Sequence, residues 1–453
     1  MYCRTLLAAL TLLLNTRIVL QHVEIIDGTG AAPLVDRNLT IEDGKITAIT
    51  AGADQPAPDG MNVLDLRGYT VMPGIVGMHD HLFALSQSTR PSFFLEMPYS
   101  APRLYLANGV TTIRTAGSIE PYTDVRLKQA IDSGAMPGPH INVTGPYLEG
   151  VTNGGSLAMH QLTGAEDARQ TVAYWADRGV TSFKAYKDIT RDELGAAIAE
   201  AHKHGLRVTG HLCSVTYPEA IALGIDNFEH GFAVNTALDP DKKPDVCSAS
   251  SGDYTLEHTV AGTPEADRLI QLLVSHHVTM TSTLVSAASY QRPLIPAAAL
   301  DAMSPSLRDA YVYWRNRAVA SPEKSALLLK HEMDLERAFV AAGGLLMAGP
   351  DPVGIGGNLP GFGDHREIEL LVAAGFSPLE AIRIATLNGA TFLGLQDHIG
   401  SIAIGKNADL LITKGDPAVQ INDIENVEIV FKDGLRYDTK KLLESVKGHY
   451  GEN

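Results

Sequence analysis

The chain has 453 residues, of which 45 % are hydrophobic, so a large core is available and one small domain is too little to use it. A formal net charge of −16 leaves no basic surface for nucleic acid, and the absence of short repeats or low-complexity tracts excludes a solenoid or a disordered chain. Cys3, Cys213 and Cys247 form neither a CxxC pair nor a disulfide framework, and Cys213 is expected to be a packing residue.

The chain opens on MYCRTLLAALTLLLNTR, whose apolar run Leu6–Leu14 resembles a short signal-peptide core but lacks a small-x-small cleavage site. The same run suits a buried N-terminal segment. Location therefore stays open between the cytoplasm and export, depending on whether residues 1–15 act as a signal. The run is too short to cross a bilayer, so no stable membrane span is expected.

The first 70 residues read as strands. NLTIEDGKITAIT is an alternating pair around Asp43-Gly44, a hairpin signal. The last 55 or so residues repeat the style in GSIAIGKNADLLITKGDP and VEIVFKDGLRY. Two β-rich ends predict one small β-sandwich built from both termini, here taken as residues 1–70 and 396–453. Between them, residues 71–395 alternate. Eight β-branched runs, at 70–81, 109–117, 140–147, 180–187, 206–211, 226–230, 278–284 and 344–351, each precede a loop or a helical pattern. The segment TRDELGAAIAEAHKHG carries Thr190 and Glu193 at capping-box spacing and ends on Gly205. Eight β/α units in series predict an α/β fold, a (β/α)8 TIM barrel. Two insertions, 232–262 and 286–330, follow strands and are expected to sit over the C-terminal mouth. The second carries Tyr290, Tyr311, Tyr313 and Trp314, which favour a bulky or apolar substrate group.

Within GIVGMHDHLF, His79 and His81 are two residues apart and on a strand would point to one side, with Asp80 turned away. Two neutral imidazoles together are a natural metal pair. His211, His230 and Asp351 end three other runs, and Lys184 sits in a fourth, so the polar groups fall at one end of separate strands. Buried there without partners they would be costly, and a shared ion removes the difficulty. Period-2 alternation places Lys184 and Tyr186 inward and Lys187 outward.

This pattern resembles the amidohydrolase superfamily. VEIIDGTG, VMPGIVGMHDH, NGVTTIRTAG, LGIDNFEHG and GSIAIGKNADLLI are similar to the imidazolonepropionase-related group that includes metal-dependent Xaa-Pro and Xaa-Arg dipeptidases. The resemblance implies two divalent ions, zinc by donor type. His79, His81 and Asp351 would hold one, His211 and His230 the other, and Lys184, carrying CO2 as a carbamate, would bridge them. It implies hydrolysis of a C–N amide bond, in a dipeptide or N-acyl amino acid, by a metal-bridging hydroxide, with Asp351 carrying the proton. It also implies a small-molecule substrate and a homo-oligomer. Tyr217 and His160 are the candidates for touching substrate. Three departures stand out: Gly349-Pro350-Asp351 where Gly-Thr-Asp is usual, Arg114-Thr115 where Arg-Asp is common, and the wide spacing of Tyr217 from His211. The alternatives are a hydrolase or deaminase of a cyclic amide, lactone or amidine, and, in another class, a non-catalytic assembly protein.

Overall fold

A computed structural model describes residues 17–54, 61–85, 93–151, 159–289, 294–317, 319 and 321–451; the N-terminal apolar run and Tyr290 lie outside them. Both ends of the chain enter one eight-stranded sheet. Its order is Leu435–Asp438, Val427–Lys432, Leu410–Lys414, Tyr69–Pro73, Arg17–Ile25, Leu34–Glu42 and Lys45–Ala51, with Met61–Asp65 pairing beside Arg17–Ile25. The Asp43-Gly44 hairpin forms with both residues at positive φ, 51° and 77°, the conformation a two-residue turn between twisted strands requires.

The predicted run 70–81 serves two sheets. Tyr69–Pro73 pairs with Leu410–Lys414, while Ile75–Asp80 joins the parallel strands of the middle. The hand-over falls at Gly74, where a Cβ would lie 2.1 Å from Thr111 Oγ1, so only glycine passes.

All eight predicted runs contain parallel strands, but the ladder is not one continuous ring. A three-stranded sheet holds Ile75–Asp80, Val110–Thr115 and His140–Asn142. A six-stranded sheet runs from Thr144–Leu148 through Ser182–Ala185, Arg207–Gly210, Asn227–Glu229 and Thr279–Ser282 to Leu346–Ala348. The third run, HINVTGPY, is cut at Val143 and contributes to both. A few contacts cross the seams, among them a bridge between Ser118 and Pro146, a hydrogen bond from Thr144 N–H to Thr115 Oγ1 at 2.9 Å, and one from Asp351 N–H to the His79 carbonyl at 2.9 Å. The architecture is α/β with its parallel strands in two pieces; the sequence predicted a closed barrel. The helix Arg191–Lys203 starts with the predicted capping box of Thr190 and Glu193.

Cys213 and Cys247 correct the sequence reading. They are paired as a disulfide, with Cα atoms 4.8 Å apart, and pin the 232–262 insertion beside the end of Arg207–Gly210. Two cysteines 34 residues apart carry no pairing signal in sequence; a returning loop brings them together.

Against the parallel strands, Glu336 on Pro322–Ala341 and Glu367 on Phe362–Ala374 share the Ser282 hydroxyl, which lies 2.9 Å from Glu336 Oε2 and 2.7 Å from Glu367 Oε1, and Glu332, one turn before Glu336, accepts the Phe232 N–H at 2.8 Å. Burial pushes the Glu332 carboxyl up to about 8 and that of Glu367 to about 7. The folded chain thus keeps protons that the unfolded chain releases near 4.5, so this contribution is full below that pH and is lost as pH rises through 7–8. Glu332→Gln should flatten the fall in stability between pH 6 and 9 and leave the variant more stable at pH 9, by on the order of 2 kcal/mol. Denaturant unfolding at pH 5, 7 and 9 measures this; an unaltered slope would remove Glu332 as its source.

Candidate metal centre

Strand alternation delivers the first donors. His79 and His81 close the strand Ile75–Asp80 on one side, fully buried, while Asp80 turns to the other side, near Tyr105 and Asp364. The His79 and His81 rings are 5.3 Å apart. Lys184, inside Ser182–Ala185, points into the same space, with Nζ 3.0 Å from His79 Nε2. His211 follows Arg207–Gly210 directly, and its N–H is held by the Ala185 carbonyl at 3.0 Å. Its ring is 4.4 Å from that of His230, which is 4.6 Å from that of His79.

His230 and Asp351 arrive differently. Both lie past their strand ends with φ of 62° and 55°, a left-handed conformation that costs a non-glycine residue energy and often marks a functional position. Asp351 Oδ1 sits 3.0 Å from His81 Nε2 and 3.7 Å from His79 Nε2. His79, His230 and Asp351 each offer a donor atom within 4.8 Å of the others. The structure thus gathers His79, His81, Lys184, His211, His230 and Asp351 in one place.

The electrostatics suit donation to a cation. Burial lowers all four imidazoles, His81 to about 4, so each keeps a lone pair at neutral pH. Burial also brings the Lys184 ammonium down to about 8. Burial alone would raise Asp351, but the imidazoles of His79 and His81 override it and hold the carboxyl well below the carboxylate range. Glu229 Oε2 lies 2.8 Å from His79 Nδ1, which leaves His79 Nε2 as the nitrogen facing the cluster. His230 Nδ1 is likewise 2.9 Å from Thr283 Oγ1. Four neutral, oriented imidazoles and an ionised carboxylate fit a divalent metal.

The other two candidates lie elsewhere. Tyr217 is fully buried, stacks on Phe228 at 3.6 Å and donates its hydroxyl to the Gly231 carbonyl at 2.6 Å. His160 is half-exposed, 3.3 Å from Asp167, and lines a separate cavity with Tyr147 and Trp175. The tyrosines near the cluster are Tyr186, whose ring is 4.9 Å from His211, and Tyr147, whose ring is 5.5 Å from Lys184 Nζ. The cluster opens into a cavity of about 590 Å3 lined by His211, His230, Thr283, Ser286, Trp314 and Asp351. Of the predicted lid aromatics, Trp314 lines it, Tyr311 is buried and Tyr313 is 67 % exposed.

Parallel strands that end in such a donor set define an α/β protein whose strand ends could hold a divalent metal. The chain belongs to the amidohydrolase family, which its residues 70–436 match. It is 24 % identical over 438 residues to an enamidase from Eubacterium barkeri, covering 92 % of this chain and 94 % of that one. A solved structure of a protein assigned as a prolidase from Bifidobacterium longum superposes with a TM-score of 0.68 at 26 % identity, over 96 % of this chain and 99 % of that one. A Xaa-Pro dipeptidase solved with methionine in its active site gives 0.69 at 22 % identity, over 93 % of this chain and all of the other (100 %). The chain is a hydrolase acting on C–N bonds, and the non-catalytic reading falls away. Among the described residues no helix is long and apolar enough to cross a membrane.

Sequence reasoning missed Arg114 and Glu229. Arg114 is fully buried, 2.8 Å from Glu229 Oε1, and also donates to the Met78 carbonyl. Arg114 stood out only as half of a dipeptide whose second residue was unexpected. Glu229 stood in FEHG beside the histidine that drew attention.

Proposed function

We propose that this chain hydrolyses the amide bond of a dipeptide or an N-acyl amino acid at a two-metal centre held by His79, His81, Lys184, His211, His230 and Asp351. The observation that carries this is that those six side chains meet, with His211, His230 and Asp351 lining the cavity, Asp351 beside His81 and Lys184 Nζ beside His79, and with Lys184 lowered to about 8 by burial. A lysine near neutrality is the form that captures CO2, and as a carbamate it would exchange a positive charge for an anionic bridge between two cations. By donor type the ions are zinc. Bound there, they would supply Lewis acidity and lower the pKa of a coordinated water.

The remaining roles belong to the chain. Glu229 fixes the His79 ring through Nδ1, and Thr283 fixes His230. Asp351, ionised and with Oδ2 3.4 Å from the Ser286 hydroxyl, takes the proton of the attacking water and hands it to the leaving nitrogen. Trp314 lines the cavity and would hold the apolar part of the substrate. A closed (β/α)8 barrel over residues 71–395, a β-sandwich from 1–70 and 396–453, and a homo-oligomer belong to the same proposal.

The test is a panel of dipeptides and N-acyl amino acids, set against cyclic amides, with zinc-loaded protein. Turnover of the linear amides supports the reading; turnover of cyclic amides alone overturns it. Trp314→Ala should lower kcat/KM for apolar dipeptides at least about tenfold more than for polar ones. Equal losses on both would exclude Trp314 from specificity.

A further inference from the structure

Far from this centre, a second group of donors joins the parallel strands to the sheet formed by the chain ends. His140 opens the strand His140–Asn142, whereas His79 and His81 close theirs, so this group lies at the opposite end of the strands. Asp409 immediately precedes Leu410–Lys414, and Asp433 stands in the turn between Val427–Lys432 and Leu435–Asp438 with φ of 50°.

Three segments thus bring His140 Nε2, a carboxylate oxygen of Asp409 and one of Asp433 within 4.8 Å of one another. His140 Nε2 is 3.3 Å from Asp433 Oδ1 and 3.7 Å from Asp409 Oδ2. These gaps exceed the usual length of a hydrogen bond to a carboxylate. Asp409 Oδ2 has no hydrogen-bond partner although Asp409 is only 4 % exposed, and His140 Nε2 has only the long contact to Asp433. The other oxygen of Asp409 is engaged, accepting the Asp433 N–H at 2.6 Å, which aims Oδ2 at the gap. Donors about 2.0–2.2 Å from a tetrahedral zinc stand roughly 3.3–3.6 Å from each other. The unpartnered Asp409 Oδ2 and His140 Nε2, 3.7 Å apart, are too far from each other to bond directly and well placed to share an ion.

We propose that His140, Asp409 and Asp433 form a further divalent-cation site, of the nitrogen-and-oxygen donor type that zinc accepts, clamping the parallel strands to the terminal sheet. Asp409 forms its buried base. His140 and Asp433, with side chains 29 % and 45 % exposed, leave an entry path and room for a water as fourth ligand. Lys432 Nζ, 3.7 Å from Asp433 Oδ2, is the one cationic side chain beside it among the described residues and offsets a single carboxylate. Two carboxylates against one ammonium leave negative charge at the site for a dication. The role is structural, because the ion ties three chain segments together away from the hydrolytic cavity.

The experiment counts metal. Full-length protein and a His79→Ala/His81→Ala form, which weakens the hydrolytic centre, are stripped with chelator, reloaded with zinc, desalted and assayed by mass spectrometry. Asp433→Asn, on an exposed turn, and His140→Gln are placed in each background. The expected result is one zinc fewer per chain with either change in both backgrounds. Zinc should also raise the melting temperature of the His79→Ala/His81→Ala form by a few degrees, and this rise should vanish when Asp433→Asn is added. Equal zinc counts with and without Asp433→Asn overturn the proposal and leave a histidine–carboxylate ion pair in its place.

Discussion

Asp351→Asn should lower kcat at least about 10^3-fold while the protein melts at nearly its original temperature. The change keeps size and hydrogen-bonding capacity, so packing is little disturbed. It removes the ionised oxygen 3.0 Å from His81 and the group positioned to carry a proton, and positioned acid–base groups contribute about 10^2–10^4-fold. Two contributions are separable by titrating metal. If Asp351 were a ligand only, excess zinc would bring the asparagine variant back to within about tenfold of the parent. A persistent deficit at saturating zinc assigns the proton to Asp351. Full recovery would end that assignment and leave the water's proton to another group.

The second large effect is on stability. Arg114→Met should destabilise the fold by about 3–5 kcal/mol, because it leaves Glu229 fully buried and charged without its counter-ion. Glu229 is held well below the carboxylate range: burial would raise it, and the Arg114 guanidinium together with His79 prevails. Adding Glu229→Gln to Arg114→Met removes the stranded charge and should recover much of the loss, a coupling that a double-mutant cycle measures directly. Glu229→Gln alone should weaken metal binding about 10–100-fold through the loosened His79 ring. A cost below about 1 kcal/mol for Arg114→Met would show that the pair does not hold the strand ends together.

Strand positions were legible because apolar β-branched runs and period-2 alternation are local properties. His79 and Lys184 lie on strands and His81 directly follows one, so alternation describes them, with Asp80 opposite. Strict alternation would put Glu229 and His230 on opposite sides of their strand. In the structure Phe228 packs outward against Tyr217, Glu229 faces His79, and the left-handed turn at His230 brings that histidine round to the same side. No spacing rule anticipates a positive φ on a non-glycine residue. Tyr217 illustrates the converse: the residue six positions after His211, it begins the helix Tyr217–Leu223 and turns into the core. The Cys213–Cys247 pairing and the His140, Asp409 and Asp433 group both depend on distant segments meeting, which only the assembled chain reveals.

The strand Tyr69–Pro73 lies between Arg17–Ile25 and Leu410–Lys414. Its second neighbour is translated more than 300 residues after it. At about 5–20 residues per second, the amino-terminal strands wait roughly 15–70 s on the ribosome with an apolar edge unpaired. Biogenesis of this enzyme should therefore depend on chaperones, and nascent chains released before Leu410 should aggregate.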